Sequence, residues 1–128
     1  VNYLIDTHTF LWFINDDPFL SLNAKVLIEN PQHHIYLSVA SLWEMAIKIS
    51  LGKLELPLPF DDFINRQLDQ NLISLLPITT AHTALVATLP FHHRDPFDRL
   101  IIAQSQSERL PIIGKDTLFD LYPIIRYW

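Results

Sequence analysis

Short unbroken apolar runs alternate along this chain with longer stretches in which apolar residues recur at helical spacing. Val1 to Ile5 predicts a buried strand ending at Asp6, and Thr7 to Ile14 a helix that is apolar almost all round, closed by Asn15-Asp16-Asp17-Pro18. Ser21 caps a predicted second helix through Ala24, Leu27 and Ile28, which stops before Pro31. His34 to Ser38 reads as a strand and Ala40 to Leu51 as a helix, with a left-handed cap expected at Gly52. After extended Leu56 to Pro59, Asp61 to Asn71 is helical, Leu72 to Ile78 a strand, and Thr79 to Leu89 a helix behind a threonine cap. Pro96 to Arg109 follows, with proline at the favoured first helical position. Pro111 to Gly114 is a strand, Thr117 to Tyr122 a helical turn, and Ile124 to Tyr127 an edge strand.

Strands that are short and apolar throughout, each followed by helix, predict a parallel sheet buried on both faces. The fold class expected is α/β: a three-layer α/β/α domain over residues 1–128, with a central parallel sheet of four to five strands. No repeat, low-complexity tract or linker interrupts it.

Composition narrows the chemistry. Two glycines, Gly52 and Gly114, leave no phosphate-cradling loop and no strained serine elbow. The absence of cysteine excludes disulfides, thiol catalysis and cysteine-bound zinc, and fits a cytoplasmic protein. No apolar run reaches bilayer length, and no basic-then-apolar leader opens the chain. A net charge of −5 argues against a polyanionic partner unless acids converge on metal; two divalent cations would bring it to about −1.

Convergence is what the acids suggest. Asp6 ends the first strand, Glu44 lies early in the helix after the second, and Asp116 follows the fourth. Asp98 opens the Pro96 helix within Phe91-His92-His93-Arg94-Asp95-Pro96-Phe97-Asp98-Arg99, the densest run of ionisable residues in the chain. Ligands of parallel α/β sheets bind outside the carboxyl ends of the strands, where these acids are expected. Each has a plainer role: Asp6, Asp95 and Asp116 are good N-caps, and Ser41 to Glu44 and Asp95 to Asp98 look like capping boxes. Capping alone gives no reason for them to gather on one edge. Two carboxylates about 5 Å apart repel by about 3 kcal/mol at an effective dielectric of 20. Oxygen ligands of this kind favour Mg²⁺ or Mn²⁺, which activate water toward a phosphodiester.

With Asp6-Thr7, Ser38 followed by Glu44, Asp98-Arg99-Leu100-Ile101-Ile102-Ala103 and Lys115-Asp116, the chain resembles the PIN domain over essentially its whole length. The run His92 to Arg99 resembles a branch of VapC-type toxins of type II toxin–antitoxin systems. The resemblance implies a Mg²⁺- or Mn²⁺-dependent endoribonuclease paired with a VapB-type antitoxin. It carries over Asp6, Glu44, Asp98 and Asp116 as catalytic metal-site acids, with Thr7 and Asp95 in support. Where the family often has threonine or serine two residues before its last acid, this chain has Gly114. That departure leaves the part played by Asp116 open.

Arg94, Arg99 and Lys115 are the candidates for RNA contact; the plainer reading of the arginines is ion pairing with Asp95 or Asp98. Lys48 sits four residues after Glu44, the spacing of a helical ion pair. The Glu44 helix carries two apolar stripes, one of Leu42, Met45, Ala46 and Ile49 and one of Trp43, Ile47 and Leu51. Either its own chain covers both, or the second meets another copy, as in a homodimer, or an antitoxin segment.

Three other readings compete. A zinc hydrolase would use the histidines, but no H-x-H or H-x-x-x-H pairing supports it. A receiver-like or phosphatase-like domain would use Asp6 as nucleophile and Lys115 as partner. An interaction module would use the acids only as caps.

Overall fold

The computed structural model describes residues 1–128. β1 (Asn2–Ile5) leads into α1 (Thr7–Ile14) and α2 (Leu22–Glu29), and β2 (His34–Ser38) into α3 (Val39–Ser50) and α4 (Phe60–Gln70). β3 (Ile73–Leu76) leads into α5 (Thr80–Val86) and α6 (Pro96–Glu108). β4 (Ile112–Ile113) is followed by a 3-10 turn (Thr117–Leu121) and β5 (Arg126–Tyr127). The strands form one parallel sheet in the order β3-β2-β1-β4-β5.

Alternation along the strands divides the core in two. Tyr3, Ile5, Ile35, Leu37, Ile73 and Ile113 face α1 to α4 and pack with Phe10, Ile28, Met45 and Ile64. Leu4 and Ile112 point the other way, onto Ile101, Ile102, Ala103, Leu110 and Phe119. The predicted three layers are therefore present. The sheet grows outward from β1 in both directions, so the strand order reverses between β1 and β4. That reversal opens a crevice at the carboxyl ends of these two strands, the usual ligand position in such sheets.

Helix starts follow the cap chemistry. The Asp6 carboxylate accepts the Thr9 amide at 2.9 Å, the Ser21 hydroxyl the Ala24 amide at 3.0 Å, and Asp95 the Phe97 amide at 2.8 Å. Gly52, at φ 71°, provides the left-handed turn after α3. Two expected capping boxes do not form. Ser38, not Ser41, caps α3, which places Ser41 inside the helix. Asp95 caps α6 alone, without a reciprocal bond from Asp98. The box that does form joins Thr79 to His82. The third strand is shorter than predicted, because Leu72 adopts φ 54° and still belongs to the preceding turn.

Candidate active site

Asp6 leaves β1 and immediately caps α1, so its carboxylate is fixed by backbone on both sides. Its Oδ1 accepts from the Thr9 amide, while Oδ2 faces Gly114 at the end of β4. A methyl group on Gly114 would lie 2.9 Å from that Oδ2 and 3.3 Å from both Ile112 and Phe119. A side chain at 114 would force the Asp6 carboxylate to shift, so glycine here accommodates its present close approach to β4.

Thr7 sits one residue further on and ties α1 to α3. Its Oγ1 is 2.6 Å from Glu44 Oε1 and 2.9 Å from Ser41 Oγ. Thr7 has one hydroxyl hydrogen, which it donates in a hydrogen bond to the carboxylate, so its oxygen accepts from the Ser41 hydroxyl. Glu44 Oε2 pairs with Lys48 at 3.2 Å, the expected i,i+4 pair. Glu44 is thereby aimed with both oxygens held.

Asp98 lies in the first turn of α6 and is half-buried. Burial pushes its carboxyl up to about 7; the charge of Asp95 adds to this, His93 opposes it, and Asp6 and Glu44 raise it further. Burial likewise raises Asp6; the Thr9 hydrogen bonds and His8 oppose the rise and Glu44 adds to it. Asp98 therefore feels the acids of β1, α3 and its own helix together, and no ion pair in the structure neutralises it.

Asp116 follows β4 and caps the 3-10 turn through the Leu118 amide at 2.9 Å. Its other oxygen, Oδ2, is 2.7 Å from His93 Nε2. The ligand-capable atoms of His93, Asp98 and Asp116 all lie within 4.8 Å of one another. Of the four acids expected to converge, Asp98 and Asp116 form this tight set. Asp6 and Glu44 stand around it, within electrostatic reach.

His93 is the member that sequence reading weighed only for a zinc hydrolase and did not place beside the acids. It is 7% exposed, its ring stacks on Phe119 at 5.1 Å, and both its amide and its Nδ1 meet the Tyr122 hydroxyl, at 3.0 and 3.1 Å. Its signal in sequence was only its place in the charged run before α6; the partners Asp116 and Tyr122 are more than twenty residues away.

Arg99 is a correction. Expected as an RNA contact or a partner of Asp95 or Asp98, it is 7% exposed and donates instead to four backbone carbonyls, those of Val86, Leu89, Pro90 and His93. Its guanidinium also lies 4.1 Å from the centre of the Phe91 ring. The connection between α5 and α6 has no ladder to satisfy its carbonyls, and Arg99 supplies the donors. It thereby fixes the segment that delivers His93. Arg94 is exposed and Lys115 is exposed beside Asp116, both available to a ligand.

A sequence model of the PIN domain matches residues 3–124, nearly the whole chain. The chain belongs to the PIN domain family. Ribonuclease VapC16 of Mycobacterium tuberculosis is 35% identical to this PIN domain over 61 residues, which take in 48% of the chain and 43% of that protein. The chain thus covers less than half the length of this curated relative. Among solved structures, VapBC2 of Rickettsia felis, bound to a promoter DNA fragment, superposes with a TM-score of 0.69 at 18% identity, over 99% of this chain and 98% of that one. FitAcB of Neisseria gonorrhoeae gives 0.62 at 17% identity, over 100% and 97%. VapBC-5 of M. tuberculosis gives 0.60 at 20% identity, over 98% of each. At these identities the likeness is one of fold. Family membership sets aside the receiver-like reading.

The donor set of this PIN domain fits a hard divalent cation. Five carboxylates (Asp6, Glu44, Asp95, Asp98 and Asp116) gather around one crevice, with Lys48 the only lysine or arginine paired to any of them. Burial, and after it the charge of Asp95, disfavours the ionised form of Asp98 and raises its carboxyl to about 7. An ion with mostly oxygen ligands removes that penalty.

Proposed function

We propose that this PIN domain, taken over residues 1–128, is a Mg²⁺- or Mn²⁺-dependent endoribonuclease of the VapC type, the toxin of a toxin–antitoxin pair. The observation that carries the reading is the convergence of acids at the β1/β4 crevice, where ligand-capable atoms of Asp98, Asp116 and His93 lie within 4.8 Å of one another and Asp98 also feels Asp6 and Glu44. Asp6, Asp98 and Asp116 would hold the ion, with Glu44 completing the set from α3. Asp95 supports Asp98 by fixing the first turn of α6.

The bound ion would lower the pKa of a water and stabilise charge on the scissile phosphate. The chain's own residues do the positioning. Gly114 lets Asp6 approach β4, Thr7 and Lys48 aim Glu44, and Tyr122 and Phe119 hold the His93 ring against Asp116. His93 Nε2 is the nitrogen best placed to take or return a proton at Asp116. Because water attacks, and not a ribose hydroxyl, cleavage should leave 5′-phosphate and 3′-hydroxyl ends.

The names of the related proteins support a ribonuclease and an antitoxin partner. Of the second stripe, Ile47 is half-buried, while Trp43, edge-on to Phe97, and Leu51, just past the end of α3, remain exposed, so the chain covers that stripe only in part. This exposure supports a homodimer contact or an antitoxin segment on that stripe, for a protein acting in the cytoplasm.

The test is RNA cleavage in Mg²⁺ by wild type, Asp6→Asn and Asp98→Asn, with product ends determined. Loss of cleavage in both variants, with 5′-phosphate products from wild type, supports the proposal. Variants that cut as fast as wild type, or 2′,3′-cyclic phosphate products, would defeat it.

A further inference from the structure

A row of aromatic rings leads away from the acids, and the catalytic reading leaves it without a task. His8 and Trp12 line the same depression as Asp6, Lys115 and Asp116. The His8 and Trp12 rings lie 5.6 Å apart, tilted by 34°, and Trp12 and Phe19 lie 5.8 Å apart, tilted by 35°. Trp128 braces Trp12 from the side, edge-on at 5.8 Å. Phe19 ends the row 62% exposed, on a turn pinned by its own amide to Asp17 Oδ1 at 2.9 Å.

Lys115 makes the row more than a hydrophobic patch. It neighbours Asp116 and opens onto the same depression as Asp6, yet it forms no ion pair with either. Its ammonium lies 5.2 Å from the centre of the Phe19 ring. A flat ring with a free cation over it, continuous with a phosphodiester site, is the arrangement that binds an unpaired nucleotide: the base stacks and the phosphate meets the cation. A purely apolar partner segment would not use Lys115, and a duplex would keep its base faces hidden.

We infer that His8, Trp12, Phe19 and Lys115 form a stacking subsite for single-stranded RNA, holding a base next to the phosphate cleaved at the acids. The inference rests on the nuclease reading for its ligand, and on Phe19 and Lys115 for its place. On this reading an unpaired base, splayed from its neighbours, lies on Phe19.

The experiment uses a fluorescein-labelled ten-nucleotide single-stranded RNA, with Ca²⁺ replacing Mg²⁺ and strand integrity checked on a gel. Affinity is read by anisotropy and stacking by quenching of tryptophan fluorescence. Phe19→Ala should weaken binding about 5- to 150-fold, the usual range for one lost stacking partner. Phe19→Trp should restore it. Lys115→Ala should weaken binding and reduce the salt dependence by about one phosphate contact. A single abasic site scanned along the strand should cost wild type affinity at one register and cost Phe19→Ala nothing further there. Unchanged Mn²⁺ affinity of Phe19→Ala shows the acids intact. If Phe19→Ala binds intact and abasic strands as wild type does, the subsite is refuted while the cleavage assay stands separately. If Phe19→Ala loses only its association with a protein partner, the row is a protein-docking surface and the inference falls. Wild type that binds RNA through Phe19 but never cuts it would overturn the nuclease reading and keep the subsite.

Discussion

Replacing Asp98 by asparagine should make the metal-free protein more stable, and the size of the gain follows from its environment. The Asp98 carboxyl is pushed from 3.8 to about 7, chiefly by burial and by Asp95. In the unfolded chain it ionises near its ordinary value, so between these two pH values the folded state binds the extra proton. Stability therefore falls as pH rises from about 4 to about 7, and the full penalty persists above that. Converted at 1.36 kcal/mol per unit, the shift has a ceiling of about 4 kcal/mol; solvent screening at a half-buried group reduces this to about 2 kcal/mol. Asparagine keeps the shape and removes the charge. Asp98→Asn should thus raise Tm by about 5–10 °C at pH 8 without metal, and by much less at pH 5. Added Mg²⁺ should reverse the order, since an ion at 100 times its Kd stabilises wild type by about 2.7 kcal/mol and the variant little. Thermal unfolding at pH 5 and pH 8, with EDTA or Mg²⁺, reads all four conditions. A variant no more stable than wild type at pH 8 in EDTA would refute the electrostatic account of the site.

Gly114→Ser, which introduces the hydroxyl common elsewhere in the family, should not improve the site. Its Cβ would meet Asp6 Oδ2, so stability should drop by about 1–3 kcal/mol and Mn²⁺ affinity should fall; urea unfolding checks the first and titration calorimetry the second, and unchanged affinity would count against the packing account. Arg99→Lys should cost about 3 kcal/mol in urea unfolding, because one ammonium cannot replace a guanidinium shared among four carbonyls. A stable Arg99→Lys protein with weakened RNA binding would restore Arg99 to the substrate. Thr7→Val keeps the volume but leaves Glu44 Oε1 and Ser41 without their partner, and should cost about 1–3 kcal/mol with weaker Mg²⁺ binding.

By itself, the sequence determined most of what depends on near neighbours along the chain, the capping boxes expected at Ser41 and Asp95 excepted. The short apolar runs specified the strands, and the caps at Asp6, Ser21, Thr79 and Asp95 specified where helices begin, because a cap bonds an amide two or three residues away. Gly52 and the Glu44–Lys48 pair were legible for the same reason. The candidate acids could be named from their places after strands, although their convergence depends on the order β3-β2-β1-β4-β5, which no local pattern encodes. Tertiary structure decided the rest. It joined His93 to Asp116 and Tyr122 across the crevice, and it turned Arg99 from the acids beside it in sequence toward the unladdered carbonyls of the α5–α6 connection. It also gave Gly114 its place, by packing the Asp6 carboxylate at the end of one strand against the end of another. Buried polar groups must find partners wherever the fold presents them, and for these residues the partners came from distant segments.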